Sequence, residues 1–191
     1  YGGTAAGNRN GVYVRSGAHH NTIGGDEPAE RNVISGNTFY GVWIEGASYS
    51  NTVSANYIGT KAWGTSPLPN AYSGVHITGS WQNTIGGDAS GERNVISGNG
   101  HYGVRIRGSN TGNNVVSGNV IGADAAGDSP LPNADGVRLR DRARKNRIGA
   151  DWEGEGNLIA FNAGTGVTLE MSAGNGNAIL SNSIYGNVGI G

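Results

Sequence analysis

A Gly-Val-x-Val/Ile/Leu unit recurs along the chain at intervals of 29 to 33 residues. Taken two at a time, the intervals become 62 or 63 residues, so one unit marks one structural repeat and the repeats alternate between two kinds. Self-similarity at such a period is typical of a solenoid, in which each coil packs only on its neighbours. The units begin at Gly11, Gly41, Gly74, Gly103, Gly136 and Gly166.

Asparagine follows the same period in two series. The first precedes an apolar pair or triplet at Asn21, Asn51, Asn83, Asn114, Asn146 and Asn177. The second is usually followed by x-Ile, at Asn32, Asn56, Asn94, Asn119, Asn157 and Asn182. Such recurrence predicts ladders in which each side-chain amide donates to the next coil and accepts from the previous one. With the Gly-Val unit, each coil then has three short apolar strands, which predicts an all-β, parallel β-helix solenoid of about six coils of 29–33 residues.

The alternation between two kinds of coil comes from the place of a loop. Odd coils carry it between the second and third strands, at 24–31, 86–93 and 149–156, and even coils carry it after the third strand, at 59–73 and 122–135. Alternate residues of the first strand should point inward and stack from coil to coil. These residues are Val12, Val14, Ile44, Ile77, Ile106, Leu139 and Leu169.

Composition narrows the function classes. The 191 residues contain 36 glycines and no cysteine, which excludes disulfides and thiolate metal sites. The formal net charge of -1 gives the whole chain no electrostatic bias toward nucleic acid, and no apolar run is long enough to predict membrane insertion. Because the chain starts at Tyr1 without Met or a signal peptide, we interpret residues 1–191 as a single β-helix domain that is a mature or excised fragment of a longer protein.

The motifs NTIGG…RNVISGN, GVxIxG and SGNVIGADAAGDSPLPN resemble the right-handed parallel β-helix repeats of large secreted or surface proteins of bacteria. The broader superfamily is similar to pectate lyases. The resemblance covers essentially the whole chain and implies the right-handed fold and a secreted or cell-surface location. It implies little about activity, since such repeats occur in adhesin-like proteins as well as in polysaccharide lyases and epimerases. In the carbohydrate enzymes the sheet that contains the Gly-Val strands lines the substrate groove.

Function should therefore lie where the repetition breaks, on the outward positions of the Gly-Val strands. One outward column reads Tyr13, Trp43, His76, Arg105, Arg138 and Thr168. The neighbouring column reads Arg15, Glu45, Thr78, Arg107, Arg140 and Glu170. The aromatic run can either stack on sugar rings or simply pack on itself.

The four arginines of these columns, Arg105, Arg107, Arg138 and Arg140, form a two-by-two block on adjacent strands. Like charges directly opposite each other are destabilising, so the block requires anions. Bidentate contacts to a polyuronate or sulfated glycan are one solution. Neutralisation by acids of the chain is the other, with candidates Glu45, Glu170, Asp135 and Asp141.

Catalytic and metal chemistry have weaker support. Glu45 and Glu170 lie four coils apart, roughly 19 Å, too far for a glycosidase carboxyl pair. If the chain were an enzyme, the candidates would be Arg138, Arg140, His76 and Asp141, with His76 as an exposed proton acceptor. Calcium is conceivable at the loop acids Asp26, Glu27, Glu30, Asp88, Glu92, Asp151, Glu153 and Glu155. However, the Glu30-Arg31 and Glu92-Arg93 pairs favour self-pairing, and no cofactor is expected.

The sequence thus favours a non-catalytic extracellular or cell-surface module that binds acidic polysaccharide along the Gly-Val sheet face. The expected ligand-binding residues are Tyr13, Trp43, His76, Arg105, Arg107, Arg138, Arg140 and Glu45. The alternatives are a lyase or hydrolase acting on uronate-containing glycans, and a rigid structural spacer. Because terminal coils of a solenoid expose strand edges, end-to-end self-association or flanking domains are also expected.

Overall fold

Each coil places one short strand in each of three parallel sheets, as a computed structural model of the chain shows for residues 7–151 and 156–189. Sheet 1 holds the Gly-Val strands β1 (Val12–Val14), β4 (Val42–Ile44), β7 (Val75–Thr78), β10 (Tyr102–Arg107), β13 (Asp135–Arg140) and β16 (Val167–Leu169). Sheet 2 holds β2 (Thr22–Gly24), β5 (Thr52–Ser54), β8 (Thr84–Gly86), β11 (Val115–Ser117), β14 (Arg147–Gly149) and β17 (Ala178–Leu180). Sheet 3 holds β3 (Val33–Ile34), β6 (Tyr57–Ile58), β9 (Val95–Ile96), β12 (Val120–Ile121), β15 (Leu158–Ala160) and β18 (Ser183–Tyr185).

The all-β parallel solenoid and its three strands per coil are confirmed. The stack makes roughly five turns from its first strand in a sheet to its last, against the six coils expected. Helical structure is confined to two 3₁₀ turns, Pro28–Glu30 and Ser90–Glu92, within the residues described above. Accordingly, that part of the chain contains no helix long and apolar enough to cross a membrane.

The apolar core is a set of columns that run through the stack. The register of sheet 1 places Val14 beside Ile44, and Ile106 beside Leu139. The inward orientation expected for these residues is confirmed by burial, except that Val12 is only partly buried and Leu169 is 42% exposed. Leu169 lies in β16, which pairs with a neighbour on one side only among the described strands, so its outer side remains open.

Asparagine ladders hold the three corners of every coil in register. Both expected ladders are confirmed: the Asn83 Nδ2 donates to the Asn114 Oδ1 at 3.0 Å, and the Asn94 Nδ2 donates to the Asn119 Oδ1 at 2.8 Å. Most of these amides also donate to a backbone carbonyl of the previous coil, as Asn119 does to Ile85 at 2.8 Å. Buried amides are stable only when hydrogen-bonded, so the ladders fix how one coil sits on the next.

A third ladder was not predicted. It joins Asn37, Asn70, Asn99, Asn133, Asn162 and Asn187 through Nδ2–Oδ1 bonds of 2.7–3.0 Å. Its sequence signal is an asparagine four residues before the glycine of the Gly-Val unit, or three before Gly136. The signal was hidden because the loops that end the even coils change the spacing between successive members.

Glycine is obligatory where one corner passes close to the next coil. Gly86 ends β8 with φ +91°, and a Cβ there would lie 1.9 Å from the Ser117 carbonyl oxygen. Any other residue would therefore be strained and would also push the coils apart. The loops expected at 24–31, 86–93, 59–73 and 122–135 lie between strands as predicted, whereas residues 152–155 of the loop expected at 149–156 lie outside the described residues. Each even-coil loop closes on itself through an antiparallel bridge, Thr60 to Pro67 and Ala123 to Pro130.

Asn99→Ala tests the third ladder. The substitution leaves the Asn70 Nδ2 without one of its two acceptors and the Asn133 Oδ1 without one donor, so we expect it to lower the free energy of unfolding by about 3 kcal/mol. Urea denaturation followed by circular dichroism measures the change. The exposed Asn110→Ala is the control, and an equal loss in both variants would show that the ladder contributes nothing specific.

Candidate binding face

The outward side chains of sheet 1, called the GVxI face below, form the two columns that the sequence predicts. Register pairs Tyr13 with Trp43, and Arg105 with His76 on one side and Arg138 on the other. In the second column Arg107 pairs with Thr78 and Arg140. At roughly 4.8 Å per coil, the face is a ribbon about 24 Å long.

An aromatic pair occupies one end of the GVxI face. The rings of Tyr13 and Trp43 stack with centroids 4.6 Å apart and planes 15° apart. The Tyr13 hydroxyl donates to the Glu45 carboxylate, and this hydrogen bond raises the pKa of Tyr13. Glu45 is therefore hydrogen-bonded to Tyr13. It lies two coils away from Arg107, which is the nearest of the four arginines in the same column as Glu45.

His76 lies beside this pair but is not accessible. It is 3% exposed, because the ring of Tyr40 stacks on it at 4.6 Å and Trp43 lies 6.4 Å away. Burial, followed by the charges of Arg105 and Arg107, lowers the pKa of His76 to about 3. The expectation of an exposed His76 is wrong, and the imidazole is neutral at physiological pH.

Aromatic residues that cover the start of sheet 1 were missed by the sequence analysis. Tyr40 directly precedes Gly41, and next to it the rings of Phe39, Tyr72 and His101 stack at 4.5 and 4.9 Å. The signal was present as aromatic residues one or two places before the Gly-Val unit in three successive coils, FYGV, YSGV and HYGV. These rings extend the aromatic surface sideways from the GVxI face.

Two of the four arginines are neutralised by acids of the chain. Arg138 donates from Nε to Glu170 at 2.6 Å and from Nη1 to Asp135 at 3.1 Å. The Nε of Arg140 lies 3.2 Å from Asp141 and 3.5 Å from Glu170. The sequence foresaw these acids as candidates, and the structure shows which ones make contact.

The other two arginines have fewer carboxylate contacts. Arg107 contacts Asp141 at 2.9 Å with 41% of its side chain exposed. Arg105 has no carboxylate within ion-pair distance among the described residues, and its Nε has no hydrogen-bond partner there. Its guanidinium lies 5.4 Å from the centre of the Tyr102 ring, as does that of Arg138. Burial lowers the pKa of Arg105, which reflects the cost of an unpaired charge at this position.

Four arginines thus face three carboxylates, Asp135, Asp141 and Glu170, which leaves one positive charge in excess. The sequence did not anticipate that Asp141 and Glu170 meet on one arginine nitrogen, which brings the two carboxylates within about 7 Å of each other. The Arg140 guanidinium occupies the space between them. Chemically, the arrangement is suited to holding an anion beside Arg105 and Arg107.

The candidate catalytic residues are dispersed over this surface. Asp141 bridges Arg107 and Arg140, while Arg138 is held by Asp135 on one side and Glu170 on the other. His76 is buried under Tyr40, two coils away from Arg138. His76 and Asp141 do not face each other, because they lie two coils apart along the sheet.

Two loop acids of the odd coils bind their own backbone, and a third, Asp151, pairs with Arg147. Glu30 accepts the amide of Asp26 at 3.0 Å, and Glu92 accepts that of Asp88 at 2.9 Å. Arg31 lies over the ring of Tyr57 at 4.0 Å, so the expected Glu30–Arg31 pairing is replaced by a cation–π contact. Within residues 7–151 and 156–189, no three His, Asp or Glu side chains converge as a metal site, and Glu153 and Glu155 lie outside that range.

Comparison with protein-family models, curated proteins and solved structures finds no match to this chain.

The neutral state of His76 has a consequence for stability at acid pH. Its pKa is about 3 in the fold and near 6.5 when the chain unfolds, so between these values only the unfolded state takes up the proton. The neutral His76 therefore makes its full contribution to the free energy of unfolding above pH 6.5, and this contribution is lost as the pH falls towards 3. Between pH 7 and 4.5 we expect this loss to be about 2.5 kcal/mol, and to be missing from His76→Gln.

Urea denaturation at the two pH values measures this difference, with the exposed His101→Gln as the control. If His76→Gln lost as much stability on acidification as the wild type, the buried neutral imidazole would be refuted.

Proposed function

We propose that this β-solenoid is a non-catalytic module that binds acidic polysaccharide along the GVxI face. The observation that carries the proposal is Arg105, a half-buried guanidinium that lacks a carboxylate partner among the described residues. A buried charge is costly unless it is paired, and a glycan carboxylate or sulfate would supply the missing counterion.

The neighbours of Arg105 fit such a ligand. Arg107 is partly exposed on the same strand, β10, and offers a second guanidinium for a bidentate contact. Trp43 and Tyr13 continue the same surface on the other side of His76 and provide apolar ring area for a sugar. In this proposal Arg138, Arg140 and Glu45 shape the face through their contacts within the chain, whereas Arg105 and Arg107 hold the ligand's charge.

We place this module outside the cell, at the cell surface or secreted, because its repeats resemble those of exported β-helix proteins. The proposal requires neither a cofactor nor bound calcium.

A second candidate is a polysaccharide lyase or hydrolase acting at the same face. One observation favours it: the Nε of Arg140 lies 3.2 Å from Asp141 and 3.5 Å from Glu170, so the two carboxyls are close enough to act as the pair that a glycoside hydrolase needs. The position of Arg140 between them weighs against it, since the substrate bond would have to displace that guanidinium. The arrangement therefore supports binding better than cleavage.

Retention on immobilised polygalacturonate, compared with dextran as a neutral polymer, tests the binding proposal. We expect salt-sensitive retention on the acidic polymer only, weakened about tenfold by Arg105→Ala and by Arg107→Ala, since each removes a charge-assisted contact. The exposed loop variant Arg93→Ala is the matched control. Equal retention of the two polymers, or an unchanged Arg105→Ala, would contradict the proposal.

The same incubation separates the alternatives. Release of unsaturated or reducing ends would establish the enzyme, and Glu170→Gln should then abolish it. Absence of both retention and products would leave the chain as a rigid spacer.

We also propose that the outer edge of the last described coil packs against a flanking domain or a second copy. Ile179, Leu180 and Ile184 are 40–44% exposed there, on strands paired on one side only among those described. Analytical ultracentrifugation should show concentration-dependent association that Ile184→Glu reduces. A strict monomer at high concentration would exclude self-association through this edge.

A further inference from the structure

A separate aromatic stack runs along the corner between sheets 1 and 2. It takes one side chain from each of three successive coils: His19, Tyr49 and Trp81. His19 and Tyr49 stack at 4.7 Å with planes 20° apart, and Tyr49 and Trp81 stack at 5.7 Å with planes 4° apart. Parallel rings at the spacing of the coils make this corner a column of aromatic faces.

The column is interrupted by a glycine. Backbone bridges continue it from Trp81 to Gly112 and from Gly112 to Arg144. A Cβ at Gly112 would lie 2.7 Å from the Arg144 carbonyl oxygen, so the close approach of the coils excludes a side chain there. The ring position next to Trp81 is therefore empty, with an arginine on its far side.

An open depression of about 560 Å³ lies at this gap. Its size falls within the range of about 300–1,000 Å³ that is common for small-ligand sites. Besides Trp81 and Gly112, it is lined by the amide side chains of Asn110, Asn113 and Asn175 and by the cations Arg144 and Lys145.

The charge of the depression is uncompensated within the part of the chain that the structure describes. Its lining contains no carboxylate, and neither Arg144 nor Lys145 has a carboxylate oxygen within 4 Å in the described ranges. The depression thus combines an aromatic platform, three amides and two positive charges. This combination matches a ligand that has a ring, several hydroxyl groups and a negative charge.

We propose that this gap, called the Gly112 slot, binds one ring of an acidic sugar. The ring takes the place missing from the stack, and its carboxylate lies against Arg144 and Lys145. Two coil steps separate Trp81 from Arg144, roughly 9.6 Å, so a ring midway between them lies about 4.8 Å from each. That distance suits stacking on the indole and contact with the guanidinium.

The polar lining distinguishes a sugar from a flat aromatic acid. A simple aromatic acid such as benzoate has no hydroxyl groups to pair with the three asparagine amides, whereas each sugar hydroxyl can both donate and accept. The Gly112 slot lies on the corner after sheet 1, outside the GVxI face. It involves none of the residues proposed to bind polysaccharide there, and it does not depend on that proposal.

Titration of ¹⁵N-labelled protein with digalacturonate tests the slot by NMR. We expect the Trp81 indole N–H and the Gly112 amide to shift together and to saturate. Trp81→Ala and Arg144→Ala should each weaken binding by about tenfold or more, measured on the Gly112 amide. Trp63→Ala is the matched control, because Trp63 is an 82% exposed tryptophan in another loop.

Cellobiose and benzoate supply the other arms of the test. Neither should shift the two signals at the concentrations at which digalacturonate saturates. Binding of cellobiose with the same affinity as digalacturonate would contradict the role of the negative charge. Preferential binding of benzoate would contradict the proposal that the ligand is a sugar. An unchanged Arg144→Ala would overturn the site. Arg105→Ala should leave this titration unaffected, so failure at the GVxI face and failure at the slot are distinguished.

Discussion

The hydrogen bond from one asparagine amide to the amide of the next coil is the interaction on which this architecture depends. Each buried Nδ2 has both of its hydrogens paired only if the neighbouring coil presents its Oδ1 at the same height, as Asn114 does for Asn83. A shift of register by one residue would leave these groups buried and unpaired at all three corners. The apolar columns also favour close stacking of the coils, but they tolerate a shift of one coil against the next more readily than the amide ladders do. The ladders therefore determine which outward residues become neighbours.

Fixed neighbours explain why like charges coexist on the GVxI face. Register places Arg105 beside Arg138 and Arg107 beside Arg140, with no freedom to separate them. The repulsion is reduced by acids at the two ends of β13 and by Glu170 from the next coil. These acids serve Arg138 and Arg140 best because they are sited around β13. Arg105 lies one strand away and is left beside Tyr102.

The sequence predicted whatever depends on the repeat alone, and it failed where side chains from outside the strands intervene. Outward columns such as Tyr13–Trp43 follow from strand register, so the repeat in the sequence predicts them. The burial of His76 depends on Tyr40, which precedes the strand and folds over it, and strand alternation contains no information about that contact. The third ladder was missed because loops of changing length separate Asn70 from Asn99 and Asn133. A search for asparagine at a fixed offset from the Gly-Val unit would have found it.

A solenoid of this kind satisfies nearly every position by pairing it with its counterpart in the next coil. A ring that is stacked on both faces, as Tyr49 is between His19 and Trp81, has no free face left for a ligand. Binding capacity must then arise where a column lacks its next member. Arg105 lacks a counter-charge, and Trp81 lacks a ring partner because Gly112 cannot carry a side chain. Both defects lie in columns whose remaining members are held rigidly, so a ligand that completes the column meets a preorganised site.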